Sequence, residues 1–325
     1  MELRKLGTSG IKVSPIGLGC MGITHASGTP MEKKDGVEVL RKAYEMGYTF
    51  FDTAECYTGI YPSGEIAYNE EVVGDALHPI RNNIVLATKF GVQHDGNHLI
   101  MDSRPETIRT SVEGSLKRLG TNYIDLYYQH RIDPNVAPEE VAGVMEELIK
   151  EGKIRAWGIS EVNEEYLRRA HAVCPVTAIQ NRYSMMARWY EPLFSVAEEL
   201  GISYIAFSPL GNGFLTGKYD NHTKFEEGKD FRSIMPQYTE SGYEKGRELL
   251  TLLHDLAEKK YATPAQISLA WMLAKKPFII PIPGSRKPER LKENLGAAEI
   301  VLGKEALAEI DEKLNTMEFD VFGGH

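Results

Sequence analysis

Short runs rich in β-branched and aromatic residues alternate along this chain with longer amphipathic stretches, and the pattern repeats eight times. The runs occupy residues 16–19, 48–52, 84–89, 123–129, 154–160, 176–180, 203–208 and 278–283. Between them apolar residues recur three and four apart, as in Val37, Leu40, Ala43 and Tyr44, or Val141, Val144, Met145 and Leu148. That is the period of a helix face. Gly47, Gly120, Gly152 and Gly201 stand where helix C-caps belong. Strand–helix units in this order imply a parallel sheet covered by helices. Eight of them, with no linker or compositional break, predict one α/β domain over residues 1–325, a (β/α)8 TIM barrel. Residues 2–6 and 11–13, around the turn Gly7-Thr8-Ser9-Gly10, predict an N-terminal β-hairpin ahead of the first unit. Two long loops, 58–69 and 209–242, leave the second and seventh strands at the C-terminal rim. Loops beyond about 12–15 residues are usually functional or disordered; the first sits near that limit and the second is well past it. A last helix over 304–317 and a tail to His325 follow the eighth unit.

Composition narrows the function. Hydrophobic content of 42% and charged content of 26% suit a chain that buries a large core. A net charge of −9 argues against a nucleic-acid partner, although a local basic pocket remains compatible with it. Cys20, Cys56 and Cys174 are odd in number and form no CxxC pair, which suits free thiols in a reducing compartment. The N-terminal stretch lacks an apolar signal-like segment and no apolar run approaches a membrane span. A cytoplasmic location is the expectation.

Four residues that carbonyl reduction needs fall at or just after the ends of successive runs. Asp52 closes the second, with Tyr57 five positions on; Lys89 closes the third; His130 follows the fourth. Neighbouring parallel strands would gather them at one rim, where barrels of this class keep their chemistry. A tyrosine titrates at about 10 and alone is a reluctant acid. A lysine ammonium beside it lowers that pKa and a carboxylate holds the lysine in place, so Tyr57, Lys89 and Asp52 suit a proton-donor assembly. His130 would donate to the substrate oxygen and orient it. Any one such residue at a strand end more often serves structure, but the set of four is much less expected by chance.

At these residues the chain resembles the aldo-keto reductase superfamily. The resemblance rests on Phe51-Asp52-Thr53-Ala54 through Tyr57, Ala87-Thr88-Lys89, and Leu126-Tyr127-Tyr128-Gln129-His130. Gly158-Ile159-Ser160, Gln180-Asn181, Phe207-Ser208-Pro209-Leu210 and the stretch from Gly284 to Asn294 extend it over almost the whole length. It implies metal-free reduction of aldehydes or ketones with NADPH, Tyr57 being the proton donor completed by Asp52, Lys89 and His130.

Gly17-Leu18-Gly19-Cys20-Met21-Gly22 formally matches GxGxxG, but Gly28 and Pro30 leave no helix before about Met31, and the acidic residue that ends the next strand, Asp52, lies thirty positions after Gly22 and is claimed by the set of four. A Rossmann site is therefore excluded. The phosphate end of a cofactor is better marked by Gly284-Ser285-Arg286-Lys287-Pro288-Glu289-Arg290. That stretch follows the last run, opens a helix and brings three cations within five residues. The resemblance places Gly19, Cys20 and Met21 at the nicotinamide end, Ser160 and Gln180 on its carboxamide, and Phe207 against its ring. It places Ser208, Leu210 and Lys218, with the adjoining Pro209, along the pyrophosphate, Arg286 on the 2′-phosphate, Arg290 at the adenosine, and Glu293 and Asn294 at the adenine edge. Many members carry lysine where this chain has Gly284 and asparagine where it has Glu161. The 209–242 loop, with Gly211, Gly213 and Gly217 for flexibility, is expected to fold over the cofactor as a lid. Lys218 and Arg232 would be its cationic contacts.

Met21, Phe90, Arg131 and residues 185–189 are expected to wall the substrate beside Tyr57 and His130. Met and Trp in that last stretch could equally be packing residues. Two other readings remain open. One is a nicotinamide-binding redox sensor, as potassium-channel β subunits resemble this family; the other is an unrelated barrel such as a sugar-phosphate isomerase. The small-molecule partner's identity is not readable here.

Overall fold

A computed structural model describes residues 2–95 and 98–322. Eight parallel strands form one sheet in chain order: β1 (Leu18–Gly19), β2 (Phe50–Asp52), β3 (Val85–Phe90), β4 (Ile124–Gln129), β5 (Ile154–Ser160), β6 (Ala178–Arg182), β7 (Ser203–Phe207) and β8 (Ile279–Pro281). Helices separate the strands, giving the expected (β/α)8 fold. The N-terminal hairpin pairs Arg4–Lys5 with Lys12–Val13.

The sheet closes where β1 meets β8. Gly17 N–H donates to the Pro281 carbonyl at 2.9 Å and Gly19 N–H to that of Pro283 at 3.4 Å. Pro281 and Pro283 have no N–H to return, so this edge of β8 only accepts. The seam is tight. A Cβ on Gly19 would lie 2.8 Å from the Ile282 carbonyl oxygen, and one on Gly284 2.6 Å from that of Gly19. The second glycine of the GxGxxG string thus serves barrel closure. Only the 3-10 turn Met21–Ile23 follows it, and the first α-helix starts at Lys33, a little later than expected.

Period-two alternation sorts the strand side chains into two cores. Phe50, Val85, Ala87, Leu126, Tyr128, Ala156, Ala178, Ile205 and Ile280 fill the barrel, and Leu6, Ile11 and Val13 of the hairpin plug its lower end. Phe51, Leu86, Tyr127, Trp157, Ile179 and Tyr204 face outward beneath the helices. Full burial of each Val, Leu, Ile or Phe side chain contributes about 1.5–3 kcal/mol, so the two layers supply most of the driving force.

The rim differs from the sequence expectation in its loops. Residues 58–68 form an antiparallel hairpin, Thr58–Ile60 with Ile66–Tyr68, and a second hairpin, Val92–Asp95 with His98–Met101, follows β3. The 209–242 segment is built of 3-10 turns at Gly211–Thr216, Phe231–Ile234 and Pro236–Tyr238. It crosses the barrel mouth: Asp230 bridges Ser27, Gly28 N–H donates to the Lys229 carbonyl at 3.0 Å, and Phe231 N–H to that of Ala26 at 3.2 Å. The last helix is Lys304–Thr316, and residues 323–325 of the tail lie outside the described residues. No helix among the described residues is long and apolar enough to cross a membrane.

A methyl group at the seam must displace a backbone carbonyl. Gly284→Ala should therefore lower stability by about 1–3 kcal/mol, the scale of overpacking. Urea unfolding reads it as a lower midpoint at unchanged slope; an unmoved midpoint would mean that the seam relaxes freely.

Candidate active site

The alternation that points Val85 and Ala87 into the barrel also points Lys89 inward, and Asp52, Ser160, Gln180 and Phe207 take equivalent positions on their strands. Lys89 is 0% exposed and Asp52 2%. Lys89 Nζ donates to Asp52 Oδ1 at 2.5 Å and to the Thr53 carbonyl at 2.7 Å, and stands 3.5 Å from the Tyr57 hydroxyl. Gln180 Nε2 donates to the other Asp52 oxygen at 2.8 Å. Tyr57 lies in the loop after β2, fixed by its N–H on the Ala54 carbonyl and by Asn69 N–H on its own carbonyl. The His130 ring stands edge-on to Tyr57 with centroids 5.7 Å apart. The four residues read from spacing alone share one site.

Burial works against the Lys89 ammonium, but Asp52 and Tyr57 outweigh it and hold its pKa above the ordinary value. Burial raises the Asp52 carboxyl above the usual range, with Lys89 and Gln180 pulling the other way. The direction at Lys89 decides the pair, because both Asp52 oxygens accept close hydrogen bonds that a neutral acid would weaken. At Tyr57 burial again leads and raises the pKa, against the downward pull of Lys89. That net direction corrects the sequence expectation: Lys89 limits the rise and does not bring the phenol below its usual value. His130 is pushed well below its ordinary pKa, first by burial and then by Arg131, Lys89, His94 and His25. Its imidazole is neutral at pH 7.

The expected cofactor residues divide. Ser160 is buried and its hydroxyl accepts from Arg131 at 3.3 Å. Phe207 is partly buried, with the Arg182 guanidinium 4.9 Å from its ring centroid. Beyond β7, Ser208 (φ 50°), Gly211 (φ 56°) and Gly213 (φ 102°) take left-handed backbone around the buried Pro209 and Leu210. Arg286 Nε donates to the Gly22 carbonyl and Nη1 to that of Thr29 at 2.8 Å, while Nη2 is buried without a partner. Arg290 pairs with Glu293 at 2.5 Å, beside the buried Asn294, on the helix Pro288–Gly296 that Ser285 precedes. Lys218 is 5.7 Å from the Tyr219 ring centroid. Arg232 is engaged by Asp230 at 2.5 Å and by the Tyr219 hydroxyl at 2.9 Å, so within the strap it is a tie. Glu161 (φ 54°) accepts from the Arg182 backbone N–H and from Tyr190.

Alternation corrects two of the expectations, and burial answers the one left open at residues 185–189. Phe90, one residue from the inward Lys89, turns outward and packs on Tyr127 at 5.1 Å, so it does not wall the substrate. Cys20, one residue from Gly19, likewise faces the outer core, and its backbone is taken by the Asp52 carbonyl and Asn69. Met185, Met186 and Ala187 are buried core residues; of that stretch only Arg188 and Trp189 reach the surface. Met21, in the 3-10 turn, and Arg131 remain at the mouth.

The structure adds residues that the spacing argument passed over. Asn69 and Glu70 open the helix Asn69–Leu77 and are both buried. Asn69 accepts from Thr53 at 2.6 Å; Glu70 accepts from Thr88 and from Arg118, each at 2.6 Å. They brace the residues beside Asp52 and Lys89. His25 stacks on Tyr57 at 5.9 Å and meets His94, from the second hairpin, at 5.3 Å. In the helix sequence nothing sets Asn69 and Glu70 apart from the neighbouring polar Glu71 and Asp75. Nothing local marks His25 and His94 either.

A sequence model described as the Aldo/keto reductase family matches residues 15–315. Over 323 residues the chain is 40% identical to a Glycine max protein named "Probable aldo-keto reductase 1", covering 98% of this chain and 90% of that protein. It is also 40% identical to aldo-keto reductase str7 of Strobilurus tenacellus over 321 residues, 95% of this chain and 91% of the relative. Among solved structures, the glycerol dehydrogenase of Gluconobacter oxydans superposes with a TM-score of 0.84 at 29% identity, over 97% of this chain and 95% of that one. The chain belongs to the aldo-keto reductase family, oxidoreductases of carbonyl compounds that use nicotinamide cofactors.

The depressed pKa of His130 sets a sign for stability. An unfolded histidine titrates at about 6.5. As pH falls below that, the unfolded chain gains a proton that the folded site refuses, and stability is lost down to the folded pKa. Stability should therefore drop between pH 7.5 and 5.5, and less so in His130→Gln; His25, also depressed first by burial, supplies part of the remainder. Equal pH slopes for variant and wild type in urea unfolding would mean that His130 titrates freely.

Proposed function

We propose that the protein reduces aldehydes or ketones to alcohols by hydride transfer from NADPH, with Tyr57 donating the proton. The observation that carries this reading is the locked Lys89 ammonium 3.5 Å from the Tyr57 hydroxyl. A bound nicotinamide dinucleotide supplies the hydride. Tyr57 gives its phenolic proton to the developing alkoxide oxygen, and Lys89, kept charged by Asp52, stabilises the tyrosinate that remains. His130 donates a hydrogen bond to the same oxygen and holds the carbonyl toward the hydride.

Residues on the rim suit such a cofactor. Gly284 is exposed at the seam with Gly19 partly so, and the buried, unpartnered Arg286 Nη2 is a donor in want of an anion. A 2′-phosphate would satisfy it, with Ser285 and the helix Pro288–Gly296 beside it. Gln180, spent in part on Asp52, retains its carbonyl oxygen for the carboxamide that Ser160 would also bond. Lys218, Ser208 and Leu210 line the path to the pyrophosphate, and the strap that Arg232 and Asp230 stiffen would cover it. The names of the three relatives lend no support to the regulatory-subunit reading.

Tyr57→Phe keeps the ring and removes the acid, whose loss costs typically about 10²–10⁴-fold. kcat should collapse while NADPH affinity, read by quenching of tryptophan fluorescence, holds. A fall of less than about tenfold, where chemistry limits the rate, would give the role to another group.

Arg286→Ala should weaken NADPH by roughly 1.5–3 kcal/mol, the scale for hydrogen bonds to charged groups, and leave NADH nearly unaffected. Titration with both cofactors decides it, since equal weakening would place Arg286 away from the 2′-phosphate.

A further inference from the structure

One buried contact at the site has no part in the chemistry above. Cys56 Sγ lies 3.4 Å from His130 Nδ1. Cys56 immediately precedes Tyr57 and is buried against Ala54 and Val92. The other groups that face the imidazole are Arg131, Lys89, His94 and His25, with the Tyr57 ring at its edge. Among the described residues none of these hydrogen-bonds a ring nitrogen, and no carboxylate or backbone carbonyl does so. The thiol is the partner of Nδ1.

We infer that Cys56 is a positioning residue: its S–H donates to His130 Nδ1 and so holds the imidazole as the Nε2–H tautomer. The inference rests on the reading of His130 as a donor to the substrate carbonyl. A neutral imidazole has one N–H, and which nitrogen carries it is set by the partner of the other. With the hydrogen on Nδ1, that N–H would face thiol sulfur, a weak acceptor, and Nε2 would turn a lone pair toward a carbonyl oxygen that needs a donor. With the hydrogen on Nε2, the imidazole lone pair, a good acceptor, meets the S–H, and the N–H is aimed where the oxygen lies. Both partners stay neutral across the working range. Burial raises the Cys56 thiol to about 12, and His130 is held well below its ordinary value.

The wild-type holoenzyme answers first, through the ¹⁵N spectrum of histidine-labelled protein with His130 assigned by its loss in His130→Gln. A protonated Nε2 with a bare Nδ1 is expected; a protonated Nδ1 overturns the inference whatever the variants do. Kinetics then follow. Cys56→Ala should lower kcat/KM for the carbonyl roughly 2- to 12-fold, the range of one net hydrogen bond, at unchanged cofactor affinity. Cys56→Ser, which restores a donor, should recover most of that loss. In a His130→Ala background Cys56→Ala should have no further effect, and a full second loss there would mean that Cys56 acts elsewhere. If His130→Ala slows the reaction while Cys56→Ala is silent, the inference alone falls. If His130→Ala leaves kcat intact, the donor reading of His130 falls and takes the inference with it.

Discussion

A lysine ammonium wholly removed from water organises this end of the barrel. Such a charge is tolerated only when partners replace its hydration, and one missing partner leaves the other charge buried alone. Lys89 has Asp52 and the Thr53 carbonyl, and the second Asp52 oxygen is taken by Gln180. The arrangement needs β2 and β3 to be neighbours in parallel register, so that Asp52 faces Ala87, two residues short of Lys89. It also needs the intervening backbone held still, which Asn69 and Glu70 do through the hydroxyls of Thr53 and Thr88. Tyr57 stands beside this pair because its loop is tied at both ends, and among the described residues its hydroxyl is the one that the ammonium meets.

Much of this was written in the order of residues. Eight runs gave eight strands, and the inward face of each run carried Asp52, Lys89, Ser160, Gln180 and Phe207 to one rim. The same period-two rule, applied strictly, would have turned Phe90 and Cys20 outward, since each adjoins an inward residue. The two rim hairpins were harder to see: their strands are three or four residues long and owe their pairing to register across a turn. Tyr57's raised pKa was illegible for another reason. Sequence names the charged neighbour but not the depth of burial, and here burial outweighs the neighbour.

The strap and the mouth are one mechanical unit. Residues 229–231 bond to residues 26–28, and His25, next in line, stacks on Tyr57 while its Nδ1 donates to the Thr58 carbonyl at 2.7 Å. A carbonyl only accepts, so the neutral ring carries its hydrogen on Nδ1 and leaves Nε2 as an acceptor. Phe231 of the strap touches the same ring at 6.1 Å. The strap thus packs against a side chain that is itself in contact with Tyr57.

The seam between β1 and β8 gives that coupling a thermodynamic side. The barrel closes there on few bonds, because Pro281 and Pro283 offer no donors and β1 is two residues long. A ligand that bridged β1 and β8 would reinforce this sparsely bonded seam, so that its binding and the closing of the cylinder would share one free energy. At a hundredfold excess over its Kd, a ligand held only by the closed form adds about 2.7 kcal/mol to stability.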